Sequence, residues 1–135
     1  MMNRFPIKGL FLSAVLIFPL LLTACDQDSP DISRLHIPGP DFQADTQKGK
    51  KLFSANCMKC HGVGARGTDK GPPLVHATYR PGHHGDMVFH FAVSRGAKQH
   101  HWYFGDMPPI TNLSPENVGN IIAYVRLQQK RAGIR

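Results

Sequence analysis

Cysteine is scarce. The chain of 135 residues has three, at positions 25, 57 and 60. Three thiols exclude a disulfide framework of the kind that staples small secreted domains. They also exclude a four-cysteine zinc site. Acidic side chains are few as well, nine against 16 Lys and Arg, for a formal net charge of +7. No nucleic-acid-binding motif accompanies that charge, so a nucleic-acid partner is not expected. There is no convincing strand pattern, which removes the βαβ setting that a redox-active C-x-x-C needs. Long apolar runs are missing too. Leu10 to Leu22 is apolar apart from Ser13, and at about 13 residues it is short for a bilayer span.

That short run has another use. Arg4 and Lys8 precede it as a positive n-region, and Pro19 breaks it late. Residues 1–24 therefore read as an export signal. The signal ends in Leu22-Thr23-Ala24-Cys25, which resembles a bacterial lipobox. That resemblance implies cleavage before Cys25 and a diacylglycerol on its sulfur. The alternatives are an uncleaved anchor or a plain secretory signal. Each buried methylene contributes about 0.8 kcal/mol, and two or more chains hold firmly. Asp26 resembles an inner-membrane retention signal known in some bacteria. The expected location is the periplasmic side of a membrane, the inner one favoured over the outer.

Residues 25–44 follow as lipid anchor and flexible tether. They are rich in Asp, Pro and Gly and show no sustained apolar period. His36 is expected to be solvated there. Ile32, Leu35 and Phe42 leave open an ordered arm packed on the domain. The folded domain is expected over residues 45–135. It is small for a self-sufficient core, and domains of this size often lean on a metal or cofactor.

"NCMKCHG", residues 56–62, supplies one. A zinc site would need four ligands, and His61 directly abuts Cys60, awkward for joining it on one ion. Covalent haem attachment has C-x-x-C-H as its signature. Both thiols add to haem vinyl groups, and the next residue falls where its imidazole can ligate the iron. Cys57, Cys60 and His61 are assigned these roles, with one covalent haem c as cofactor.

The flanking sequence is helical. Asp45 or Thr46 caps a helix leading into the motif, with Leu52, Phe53 and Ala55 on its apolar stripe. A second helix is predicted in "GDMVFHFAVSRGA", with Asp86 as cap and Gly96 as stop. A third runs through "LSPENVGNIIAYVRLQQKRAG", with Ser114 as cap, Pro115 at the first helical position and Glu116 in the first turn. Val118, Ile121, Ile122 and Val125 form its apolar face, and Gly133 follows its end.

Residues 45–132 resemble the class I monohaem cytochromes c. Gly49 and Phe53 stand four apart just before Cys57, as in that family's first helix. Ile121 and Tyr124 sit where the family's last helix crosses it. "KGPPL", 70–74, resembles the family's Gly-Pro-x-Leu. The resemblance implies an all-α fold of three main helices wrapped around one covalent haem. It implies that the Pro72 carbonyl accepts from the His61 ring. It makes Met107, in "FGDMPPI", the sixth iron ligand, stiffened by Pro108 and Pro109. Met58 and Met87 are assigned to core filling.

With His61 and Met107 on the iron, no position is open for substrate. The expectation is a single-electron carrier and not an enzyme. Rivals are a haem-based sensor or enzyme subunit with an open sixth site, and a His-rich copper-handling cytochrome. The last arises because the chain has eight histidines. His76, His83, His84, His90, His100 and His101 could form polar loops near the haem, a second metal site such as copper, or proton-linked groups. Trp102 could donate to a haem propionate and cover a haem edge. Without residues 1–24 the balance is 14 basic against nine acidic residues, or +5. Lys48, Lys50, Lys51, Lys59, Arg66 and Lys70 cluster around the motif. They are either a solvated face or a docking patch for an acidic redox partner.

Overall fold

The computed structural model describes residues 36–135. The signal, Cys25 and Asp26 lie outside the described residues. Four α-helices carry the fold: α1 (Thr46–Asn56), α2 (Met58–His61), α3 (Asp86–Arg95) and α4 (Pro115–Arg131). Short 3-10 turns occupy Val63–Ala65 and Ala77–Tyr79. Among the described residues there is no strand, only one isolated antiparallel bridge between Ala97 and Met107. The architecture is all-α.

α1 starts because Asp45 adopts extended backbone and its carboxylate accepts from the N–H groups of Gln47 and Lys48. Such a cap satisfies donors that a helix start leaves without partners. α4 starts the same way, with Ser114 Oγ accepting from Asn117 N at 3.2 Å and Pro115 in the first turn. At α3 the expected cap is displaced by one residue. Gly85 occupies the cap position, and Asp86 lies in the first turn. Its carboxylate is taken by Arg126 of α4, whose Nε donates to Oδ1 at 2.7 Å. Gly96 ends α3 at φ 78°.

α1 and α4 cross through Gly49. A Cβ there would stand 1.9 Å from the Asn120 carbonyl oxygen and 3.1 Å from Tyr124 Cβ. Tyr124 then packs on Phe53, with ring centroids 5.4 Å apart. Asn120 also accepts from Asp45 N at 2.7 Å, across 75 residues of sequence. Phe53, Val118 and Val125 are fully buried in the resulting core. Tyr124 is at the crossing as expected. Asn120 meets the glycine, and Ile121 turns instead toward the cavity described below.

Two assignments change. Met58 and Met87 are not core filler, since they are 37% and 40% exposed. Met58 lies on α2 and Met87 in the first turn of α3, both open to solvent. The segment ahead of α1 also makes a contact: a Cβ on Gly119 would meet Phe42 Cε1 at 2.6 Å. His36 is half-buried rather than fully solvated. No described helix is long and apolar enough to cross a membrane.

Candidate functional site

A cavity of about 320 Å³ opens between α1, α3, α4 and the loops before and after α3. Cys57, Cys60 and His61 form one part of its wall, and Met107 another. Val93, Ile110, Ile121 and Val125 make much of the rest apolar. The helical segment around the motif places the three residues together: Cys57 closes α1, and α2 carries Cys60 and His61.

Cys57 and Cys60 are not joined to each other. Burial, and then the charge of Cys60, push the Cys57 thiol up to about 11. A disulfide-exchange cysteine is driven the opposite way, toward a ready thiolate. Cys57 thus differs from a disulfide-exchange cysteine, and the position of both cysteines on an apolar wall suits attachment of an apolar macrocycle.

His61 is oriented by its neighbour. Its Nδ1 donates to the Pro72 carbonyl at 2.9 Å. A carbonyl can only accept, so the proton sits on Nδ1 and Nε2 keeps a lone pair. Burial holds the imidazole below its ordinary value, with the Pro72 bond opposing. The ring is thus neutral near pH 7 and able to ligate a metal. Gly71 makes this approach possible, since a Cβ there would lie 3.0 Å from the Cys60 carbonyl oxygen.

Met107 is held through its backbone. Ala97 N donates to Met107 O at 3.0 Å, and Met107 N to Ala97 O at 2.9 Å. Gly96 lets the two segments meet, as a Cβ would be 2.5 Å from Met107 O. Inside the loop so closed, Lys98 pairs with Asp106, and Gln99 bonds both Asp106 and Gly105. Ile110 N fastens the exit to Val93 O at 2.7 Å.

Trp102 belongs to this loop and lines the cavity. Its Nε1 is buried without a partner. Burial holds the Tyr79 phenol above its ordinary value and the nearby indole opposes that, but the approach falls short of a hydrogen bond. A buried donor without an acceptor is costly. A carboxylate entering the cavity would satisfy it, as a haem propionate can. With the thiols, His61 and the apolar walls, this donor makes the residues fit haem c.

The loop before α3 depends on two residues that the sequence did not single out. Gln129 is 1% exposed, and its Nε2 donates to the carbonyls of Leu74 and Tyr79 at 2.7 and 2.9 Å. Arg126 bonds the carbonyls of Tyr79 and His84. A signal was present: Gln129 falls four residues after Val125, on the apolar face of α4. The histidines also gather. His83, His84, His100 and His101 have ring centroids 4.4 to 5.8 Å apart in five pairings. Burial first, and then its histidine neighbours, hold His84 below its ordinary value, against a bond to Thr78. His90 stands apart on α3, buried, with Nδ1 unpartnered. Lys48, Lys50, Lys51, Lys59, Arg66 and Lys70 are all exposed.

The family described as cytochrome c matches residues 46–128. A curated relative, the Cbb3-type cytochrome c oxidase subunit CcoP of Rubrivivax gelatinosus, is 33% identical over 79 residues. The match covers 57% of this chain and 24% of that protein, so the chain spans about a quarter of the relative's length. No solved structure matches.

Proposed function

The chain belongs to the cytochrome c family, and from that premise we propose that it carries single electrons through one covalent haem c ligated by His61 and Met107. The observation that carries the proposal is one shared wall: His61, with Nδ1 engaged by Pro72, and Met107, with its backbone paired to Ala97, line one apolar cavity. When bound, haem c supplies an iron that gains and loses one electron.

The chain's own residues do the rest. Cys57 and Cys60 would hold the macrocycle through thioethers. The Pro72 carbonyl fixes the His61 ring and makes Nε2 a stronger donor. The Met107 thioether, being soft, favours the reduced iron. Val93, Ile121 and Val125 keep water away, which limits reorganisation around the site. Trp102 Nε1, buried without a partner, would donate to a propionate. His61 and Met107 would both be committed to the iron, leaving it no position for a substrate, which supports a carrier rather than an enzyme.

Redox proteins are its partners. The relative's name places it in an oxidase, which supports a partner of that kind. The exposed lysines beside the motif suit an acidic docking face, through steering that raises encounter rates. Residues 1–24 act as export signal and 25–44 as lipid anchor and tether, with Cys25 acylated, holding the domain of residues 45–135 on the periplasmic side. The support for that arrangement is Leu22-Thr23-Ala24-Cys25 behind a positive n-region and short apolar run.

Carbon monoxide titration of the ferrous protein near neutral pH tests the carrier against a sensor or enzyme. Poor binding is expected, because the sixth position is taken. Rapid, stoichiometric binding would overturn the proposal in favour of an open site.

A further inference from the structure

The loops on either side of α3 bring four histidines to the rim of the cavity. Three of them share the arrangement seen at His61. His83 Nδ1 and His84 Nδ1 each lie 2.8 Å from the Thr78 carbonyl oxygen. His100 Nδ1 lies 2.7 Å from the Lys98 carbonyl oxygen. Carbonyls only accept, so each of these Nδ1 atoms carries the proton and each Nε2 keeps its lone pair. Engaging one ring nitrogen with a backbone carbonyl is how proteins aim the other at a metal.

Two of the free nitrogens meet, and the rings of all four histidines gather around them. His84 Nε2 and His100 Nε2 stand 3.5 Å apart. With both protons on Nδ1, two lone pairs face each other across that gap. It is the spacing expected of two imidazole nitrogens each about 2.0–2.1 Å from one ion. Ligand atoms of His83, His84 and His101 also lie within 4.8 Å of one another. His101 completes the group, its ring 4.4 Å from that of His100 and 5.0 Å from that of His84.

The cluster is supported from below and open above. His84 is 7% exposed, its ring lies 4.9 Å from Tyr79, and its carbonyl is held by Arg126. His83, His100 and His101 are exposed. An ion would enter from solvent and settle on a fixed floor.

We propose that His83, His84, His100 and His101 form a second metal site, for one late first-row transition-metal ion, copper(II) foremost. The donors are all imidazole nitrogens, which suit copper, zinc and nickel. Calcium and magnesium demand oxygen ligands, and the cluster offers none. Among the divalent ions, copper binds a given nitrogen site most tightly. The site depends only on these side chains and stands whether or not Met107 ligates the haem.

The test titrates copper(II) into the haem-loaded protein against a competing chelator, with paramagnetic resonance of the copper signal. One ion per chain is expected, with nitrogen splittings. The variant His83→Ala/His101→Ala should bind about tenfold or more weakly. His36→Asn, outside the cluster, should bind as wild type. His100→Gln gives a second, single exposed change should the double variant lose its haem spectrum. Equal binding by wild type and a spectrally intact cluster variant would overturn the proposal. So would a wild type that binds no copper above the chelator, which would leave these rings only hydrogen-bonding the haem's edge.

Discussion

Gly49 and Asn120 touch backbone to backbone: a Cβ on the glycine would stand 1.9 Å from the asparagine carbonyl oxygen. The obstacle is main chain, not the end of a side chain, and α4 is held there by the rest of the core. Gly49→Ala must therefore separate α1 from α4. Overpacking commonly costs about 1–3 kcal/mol, and this case belongs at the upper end or beyond. The check is the denaturant midpoint of the haem-loaded protein. An unchanged midpoint would show that the helices can part without loss.

Met107→Ala removes the proposed thioether. The reduction potential should fall, because the preference for Fe(II) goes with the sulfur. If no nearby histidine takes its place, the ferrous protein should bind carbon monoxide stoichiometrically. Met87→Leu is the companion change. Met87 is 40% exposed, so potential and stability should stay put. Equal potentials in wild type and Met107→Ala would rule Met107 out as the ligand.

Gln129→Leu keeps the size and removes the donor. The Leu74 carbonyl loses its bond to Gln129 Nε2, while that of Tyr79 keeps the one from Arg126, and a buried group left unsatisfied costs about 1–3 kcal/mol. The measurement is thermal unfolding beside native-state hydrogen exchange in residues 74–85. Faster exchange there, with a lower midpoint, is the expected result; wild-type exchange would count against the clamp.

Asp45 gives the protein a pH dependence. The N–H groups of Lys48 and then Gln47 hold its carboxylate below the ordinary value. A folded value under the unfolded one means stabilisation that is complete above about pH 4, the unfolded range. It is lost as pH falls through the folded value. Asp45→Asn keeps a capping oxygen that does not titrate. It should flatten the acid limb of stability while Asp45→Ala lowers stability at neutral pH. Parallel acid limbs for wild type and Asp45→Asn would exclude this group as the source.

Cys25 lies outside the described residues, and its acylation has its own check. Mass spectrometry of the N-terminus from the native bacterium should show a diacylglycerol on Cys25. Cys25→Ser should no longer be processed as a lipoprotein. An unmodified cysteine in the wild type would refute the anchor.

Local chemistry was legible in the sequence, and distant chemistry mostly was not. Asp45, Ser114 and Gly96 could be placed because a cap acts within three or four residues. Asp86 was read as a cap for the same reason. It lies instead in the first turn, its carboxylate bonded to Arg126, 40 residues away. Cys57, Cys60 and His61 were legible as a contiguous motif. The Ala97–Met107 bridge was not, since two single residues leave no strand pattern. The pairs at 83–84 and 100–101 were visible as pairs, but their meeting depends on both loops folding back over the cavity. Met58 and Met87 were misplaced because composition says nothing of which helix face is turned outward.

The cavity's walls are also separated in time. In a growing chain, Cys57, Cys60 and His61 are made first, and Ile121 of α4 follows roughly 60 residues later, about 3 to 12 s at 5–20 residues per second. Until that interval ends α4 is incomplete and cannot cover the thiols, so Cys57, only 8% exposed in the finished fold, is still accessible. The α1–α4 crossing at Gly49 ends this period. The crossing is therefore also a deadline: wherever the chain folds, a cofactor must reach Cys57 before α1 and α4 meet, whereas Cys60 stays exposed afterwards.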